Sequence, residues 1–594
     1  MDGSSSYHPL FGRIRSFVTY EEAFGSSIAY DALVEMVAGL PINYVVRMVS
    51  TCLVLADLYG TTAERTQGLT VPKIFPESLP HLGQVQPLAH QRVFIHRPQL
   101  LALLRLSLLH GRCRDASVPD DERKEMLGRS LLGLNSFLYP PGTPTEEYRT
   151  AGMGPLLNAT RTGEWGTLND EGRAQLMNFV HSYNSAISSD IRKALSRYAD
   201  MFLADAGSTD PSGHSGQLLQ ARLTDTIGVD AQEYVSLVFA LLAHYIDAAS
   251  IFSDASSFPI DGRTFFSKSR LSPELVSTFF SHVGADTEQL RAMFQDSGDA
   301  SSLFEVVPFM TFPFVRLVDS ETYWPLGVDP IVELFGSSMF WKAANPGMRF
   351  DEALRTHWGE LFESYCHSLC RRIGNTAWRG LRVYTSSEYV WRASPKLSCD
   401  AVIVQPPMAV LLEFKTKALG LRQSLQDRSY DSFLRDVDEL LIGSPQNKAA
   451  AQIDSTINCL RSGELELPGT RLDEIRSHAP VVVTLQAWPV GPMVYECIRG
   501  RVHTAGLLRQ PHCLPLELWG CEDVENLQSI ACQMETPIRI ADVVRNKASQ
   551  TYFNIPMRLF ISDNFGGQFR PSSHMRAARH AMFSLIEDTL ALQV

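Results

Sequence analysis

The segment that most constrains this chain is Cys399-Asp400-Ala401-Val402-Ile403-Val404, then Pro406-Pro407, then Ala409-Val410-Leu411-Leu412-Glu413-Phe414-Lys415. Two short apolar runs on either side of a prolyl turn read as two buried strands of a hairpin. Asp400 opens the first run, and Glu413 and Lys415 close the second. An isolated buried charge is strongly disfavoured, so acids and a lysine at the ends of such strands point to chemistry. Glu413 and Lys415 are two residues apart and share one face of their strand. Pairing across the hairpin brings Asp400 toward that face. Two carboxylates make a hard oxygen site suited to Mg²⁺, and the adjacent ammonium can orient a water or neutralise a phosphate.

The flanking sequence extends the pattern. Leu354, Trp358, Leu361, Phe362, Tyr365 and Leu369 recur at helical spacing and predict a helix from Phe350 to Arg372 that carries Glu360 and Glu363. Leu381 to Trp391 reads as a strand. A polar loop follows Lys415, then a helix from Gln446 to Leu460 with Gln446 and Gln452, then a buried strand from Ala479 to Trp488. The order is helix, three strands, helix, strand. An Asp followed by Glu-x-Lys is common by itself; the apolar strands and the two polar-bearing helices make it specific. The competing reading is an ordinary mixed sheet with a solvated Glu413–Lys415 ion pair at a strand end.

Over about residues 346–490 this arrangement resembles the PD-(D/E)XK nuclease superfamily. The resemblance implies an α/β fold class: a helical N-terminal region, an α-β-β-β-α-β restriction-endonuclease-like core and a small α+β C-terminal region. It implies Asp400 and Glu413 as metal-binding carboxylates, with the Phe414 carbonyl as a third ligand. Lys415 would position or activate the attacking water, and Glu363 would add a ligand from the preceding helix. Glu360, one turn away on the same side, competes for that role. Gln452 would hydrogen-bond Lys415 or a substrate phosphate. One branch of the superfamily has Tyr four residues after that Gln, where this chain has Thr456. Lys417 and Arg422 would meet phosphates. The implied reaction is hydrolysis of phosphodiester bonds with Mg²⁺ or Mn²⁺ as cofactor. Nucleic acid is the implied partner, DNA in preference to RNA, in a setting that resembles prokaryotic anti-phage effectors. The alternative is a catalytically inactive nuclease scaffold that binds nucleic acid or serves as an assembly subunit.

The rest of the chain sets outer bounds. A length of 594 residues predicts about two to four domains. The expected divisions are a mainly helical sensing or oligomerisation region at 1–300, an adaptor at 301–345, the core at 346–500 and a C-terminal region at 501–594. Helices are expected at Ala29–Ala38, Tyr44–Tyr59, Gln99–Leu109, Arg173–Phe202, Ala231–Ala249 and Pro273–Phe280, with a Gly/Ser/Asp-rich loop at Ala206–Gly216. Phe304 to Leu326 looks strand-like, and Ser573 to Leu592 reads as a terminal helix. With 45% apolar and 20% charged residues the chain is globular. A formal charge of −12 argues against a general nucleic-acid coat, although 340–465 is near neutral. The acidic helical region is expected to meet a protein partner or a second copy of the chain. Ten cysteines lack any Cys-x-x-Cys pair, and Cys366 and Cys370 share a helix face as core residues, which predicts a reducing cytoplasm. The start lacks a basic-then-apolar run, so no signal peptide is expected. Val34 to Tyr59 is broken by Pro41, Arg47 and Asp57 and reads as a buried helix pair, with no membrane partner. His90 and His96 lack matching acids or cysteines and are expected to be ordinary polar residues. There is no Walker-type phosphate loop and no Gly-x-Ser-x-Gly elbow.

Overall fold

The computed structural model describes residues 16–59, 64–75, 92–111, 119–138, 191–203, 221–250, 258–296, 306–318, 320–336, 352–376, 380–416, 429–443, 448–485, 492–533, 539–549, 557–565 and 572–590, with scattered positions between 155 and 180 and between 303 and 342. Lys417, Arg422, Gln446, His90, Cys113 and the Ala206–Gly216 loop lie outside the described residues. The chain is mixed α/β. It divides into two units: Met1–Ala151 with Ile227–Ser338 and Ile586–Val594, and Gly152–Thr226 with Met339–Leu585. The expected cuts at 300, 345 and 500 coincide with neither.

In the first unit the expected helices appear as Tyr30–Ala38, Ile42–Tyr59, Arg97–His110, Ala231–Ser250 and Pro273–Val283. Among the described residues, Ile42–Tyr59 is the one helix long and apolar enough to cross a membrane. Ten of its residues are buried within the protein. Asp57 at its end pairs with Arg97 at 2.7 Å and accepts the backbone N–H groups of Val328 and Asp329. Those bonds tie the expected adaptor into this unit. Val307–Thr311 is a helix rather than a strand, because Pro308 stands in its first turn, where a missing N–H costs nothing. Phe314–Arg316 and Thr322–Pro325 are strands, joined with Ile260–Asp261 and Gly284–Asp286 in a four-stranded sheet.

The second unit is built on a five-stranded sheet. The sheet and the helices that bear on it are, in chain order, α1 (Ile191–Tyr198), α2 (Glu352–Gly374), β1 (Arg382–Thr385), β2 (Ala401–Gln405), β3 (Met408–Lys415), α3 (Ala449–Ser462), β4 (Ser477–Thr484), β5 (Glu517–Gly520) and α4 (Cys521–Gln533). The strands lie in the order β5-β4-β3-β2-β1. β2 pairs antiparallel with β1 on one side and β3 on the other, and β3, β4 and β5 run parallel. Strand alternation puts Val402, Val404, Ala409 and Leu411 on one face, packed with Ile453, Ile457 and Leu460 of α3. The opposite face carries Phe414, whose ring meets His367 of α2. Helices on both faces explain why these strands are continuous apolar runs.

Four expectations about this unit change. The first strand stops at Thr385, where a capping box with Glu388 starts a short turn, and Val390–Trp391 pairs instead with Leu465–Glu466. The polar loop after Lys415 holds a helix, Tyr430–Val437. The C-terminal region is not a separate α+β body, since β5 is the edge of the main sheet. Residues 152–226, expected with the N-terminal region, also belong here. Leu156, Trp165, Leu168 and Met177 are buried in the same apolar cluster as the sheet. From α1, Arg197 pairs with the fully buried Glu525 of α4 at 2.7 Å.

Glu525 also accepts from Tyr365 at 2.9 Å. Arg197→Met strips the cation from a buried carboxylate, so unfolding free energy is expected to fall by about 3 kcal/mol. The measurement is the urea midpoint of the full chain; an unchanged midpoint shows that the pair contributes nothing.

Candidate active site

The hairpin forms with Ala401 opposite Leu412 and Gln405 opposite Met408. Continuing that register by one residue sets Asp400 opposite Glu413, so the two carboxylates face each other across the end of the ladder. β3 runs on past the last β2 pair to Lys415 while still paired with β4, where Lys415 is opposite Thr484. The edge of Phe414 that looks toward β2 therefore has no strand beside it. The Asp400 carboxylate fills that position and accepts the Phe414 N–H at 2.7 Å. In a strand the N–H and C=O of one residue point the same way, so the Phe414 carbonyl lies on this edge too.

Lys415 is ion-paired with Oε1 of Glu413 and donates to Gln452 Oε1 at 3.2 Å. Gln452 comes from the first turns of α3, which packs against this strand face. The hairpin and α3 thus bring together Asp400, Glu413, Lys415 and Gln452. Glu413 is fully buried, and its Oε2 has no hydrogen-bond partner among the described residues.

The electrostatics follow from burial and crowding of like charge. Burial pushes Asp400 up to about 7, with Glu363 adding and the Lys415 ammonium and Phe414 N–H opposing. Burial and the Asp400 charge hold Glu413 well above the usual carboxylate range, against the pull of Lys415. For Lys415 burial acts downward, but the Glu413 and Asp400 carboxylates outweigh it and leave the ammonium above its ordinary value.

The two helix acids separate clearly. Glu363 is 40% exposed, and its charge acts on Asp400, Glu413 and Lys415. Glu360 is an exposed residue that pairs with His357 at 3.1 Å. Two residues join the site that sequence reasoning did not single out for it. His367 lies one turn after Glu363, 3.8 Å from its Oε1, and its Nε2 donates to the Asp400 carbonyl at 3.0 Å. Since a carbonyl only accepts, that nitrogen carries the proton. The signal was present as the i, i+4 pair Glu363–His367. Thr456 accepts the Cys399 N–H at 2.8 Å, immediately before Asp400. Cys366 and Cys370 are buried core residues, and His96 is buried against Asn135 in the first unit.

Among the described residues no group of three or more His, Cys, Asp or Glu side chains is arranged to hold a metal ion. What exists is a smaller set of hard oxygens: Asp400, the orphaned Glu413 Oε2 and the Phe414 carbonyl. Such a set suits Mg²⁺, which keeps several of its own waters and takes one or two carboxylates. The chain matches no family model, no curated protein and no solved structure in comparisons with known proteins.

The raised carboxylates give a definite pH dependence. Between about 4 and about 7 the native state holds an Asp400 proton that the unfolded chain has released. The Asp400 contribution to stability is therefore fully present below this window and is lost as pH rises through it. Asp400→Asn is expected to flatten the fall and raise the melting temperature at pH 7.5. A melting curve with unaltered pH dependence overturns this.

Proposed function

We propose that the second unit is a divalent-metal-dependent nuclease of PD-(D/E)XK type, with an α-β-β-β-α-β core formed by α2, β1 to β3, α3 and β4. Its substrate is the phosphodiester backbone of nucleic acid, DNA in preference to RNA. The observation that carries this reading is the convergence at one sheet end of Asp400 and a buried Glu413, with Lys415 tied to both Glu413 and Gln452.

Asp400, Glu413 Oε2 and the Phe414 carbonyl would hold Mg²⁺ or Mn²⁺, and Glu363 would support it from α2. Bound there, the cation supplies Lewis-acid charge to the phosphate and lowers the pKa of water. The residues of the chain do the rest. Lys415 stays protonated at neutral pH, so it donates to a water or a phosphate oxygen rather than taking a proton. Its two protein acceptors fix its direction and leave the third N–H for substrate. Gln452 limits the swing of the lysine, and the protein walls around Glu413 exclude bulk water.

Cleavage of plasmid, linear duplex, single-stranded DNA and RNA with Mg²⁺ or Mn²⁺ tests the reading. Lys415→Met is expected to lower the rate by roughly 10²–10³ through lost charge stabilisation, while Mn²⁺ binding by calorimetry persists. Undiminished cleavage in excess EDTA by homogeneous protein overturns the mechanism. If metal-dependent cleavage is absent but nucleic acid binds, the scaffold is a binding subunit.

Between the helix acids, Glu363→Gln is expected to lose activity and Glu360→Gln to keep it, because the charge of Glu363 acts on the carboxylates and Lys415, whereas Glu360 pairs outward with His357. Loss confined to Glu360→Gln would put the helix acid on the other turn.

A further inference from the structure

We propose that Thr456 is a positioning residue: its hydroxyl fixes the backbone that leads into Asp400 and so sets where that carboxylate stands. The proposal rests on the nuclease reading of the second unit. Thr456 is fully buried on α3. Its Oγ1 donates to the Gln452 carbonyl one turn back, at 2.8 Å, and accepts the Cys399 N–H, also at 2.8 Å. A hydroxyl has one proton, so donation to the helix carbonyl leaves its lone pairs for Cys399 and fixes the sense of the bond.

The same helix grips the preceding residue. Gln452 Nε2 donates to the Ser398 carbonyl at 3.4 Å while its Oε1 accepts from Lys415 at 3.2 Å. Gln452 and Thr456 are four apart and lie on one helix face. Together they hold the Ser398–Cys399 backbone at the point where an exposed stretch, 392–397, gives way to the buried hairpin. Asp400 comes next. Its N–H donates to Leu412 at 3.1 Å, and its carbonyl accepts from Ser386 at 2.9 Å and from His367. The strand partners therefore fix Asp400 from one side, and Thr456 fixes the incoming peptide from the other.

Without the Thr456 hydroxyl, the Cys399 N–H is buried with no acceptor, since Cys399 is fully buried. The peptide must then turn to find one, and Asp400 turns with it. The loss falls on the carboxylate and its cation, not on contact with nucleic acid. Serine keeps the acceptor; valine keeps the shape and removes it.

The test uses the full chain as wild type, Thr456→Val and Thr456→Ser, with folding checked by circular dichroism. Mn²⁺ affinity is read by calorimetry, kcat and KM by cleavage of linear DNA. For Thr456→Val, Mn²⁺ binding is expected to weaken about tenfold to a hundredfold, as for other residues that orient metal ligands. kcat should fall with KM unchanged, and Thr456→Ser should restore both. If the valine variant does not fold, Thr456→Ala takes its place. Failure of both to fold assigns Thr456 to stability alone and overturns the proposal, as does wild-type Mn²⁺ affinity and kcat in a folded variant. Wild type that neither binds Mn²⁺ nor cleaves removes the nuclease reading itself, and this inference with it.

Discussion

A difference in strand length creates the candidate site. All eight residues of β3 pair with β4, but only five pair with β2. The last three residues of β3 are thus held in extended form by one neighbour and open to the other. A strand edge with unpaired backbone groups is normally a liability in a buried sheet. Here the Asp400 side chain takes the Phe414 N–H, and the Phe414 carbonyl lies on the same open edge. Had β2 begun two residues earlier, its backbone would occupy this notch and Asp400 would sit in the ladder. The chemistry of the site is therefore a consequence of where one strand starts.

The arrangement is unfavourable for the isolated protein, and that is informative. Glu413 lies in the interior with one oxygen on Lys415 and the other without a hydrogen-bond partner among the described residues. Asp400 faces it across the hairpin end, and both carboxyls resist ionisation. A single ammonium cannot balance two or three acids at neutral pH. Either protons or a further cation must do so, and the two compete for the same oxygens. Sites that sacrifice stability for a poised charge distribution are where local rules of folding are broken for function.

Much of this was legible in the sequence because it rests on short-range geometry. The period of two put Glu413 and Lys415 together, the Pro406-Pro407 turn set the register, and the helical spacing before Glu363 marked α2. What escaped depended on long-range pairing or on backbone hydrogen bonds. The capping box at Thr385 and Glu388 ends β1 early, although the apolar pattern continues to Trp391. Pro308 reads as a strand residue by its neighbours and acts as a helix starter. β5 is too short to announce which sheet it joins. His367 and Thr456 act through main-chain groups of residues far off in sequence, and only the spacing of His367 from Glu363 hinted at either.

The largest misreading, that 152–226 belongs to the N-terminal region, shows how the site is supported. α2 carries Glu363 and His367 toward the hairpin, so its placement decides whether they reach it. From its far side Tyr365 donates to Glu525, which Arg197 of α1 neutralises. Lower on the same helix Arg372 pairs with Asp200 at 3.2 Å, and Asp200 also meets His574 at 2.6 Å. The segment around 191–203 therefore contributes charges that hold α2 through two separate buried or half-buried networks. Glu525 has no exposure, so removing Arg197 and its segment would leave an uncompensated charge against the helix that bears the candidate metal acid. A cut at residue 300 would keep every residue of the Asp400 motif and remove part of what aims Glu363. The second unit is discontinuous in sequence because the ion pairs that position α2 come from chain laid down well before it.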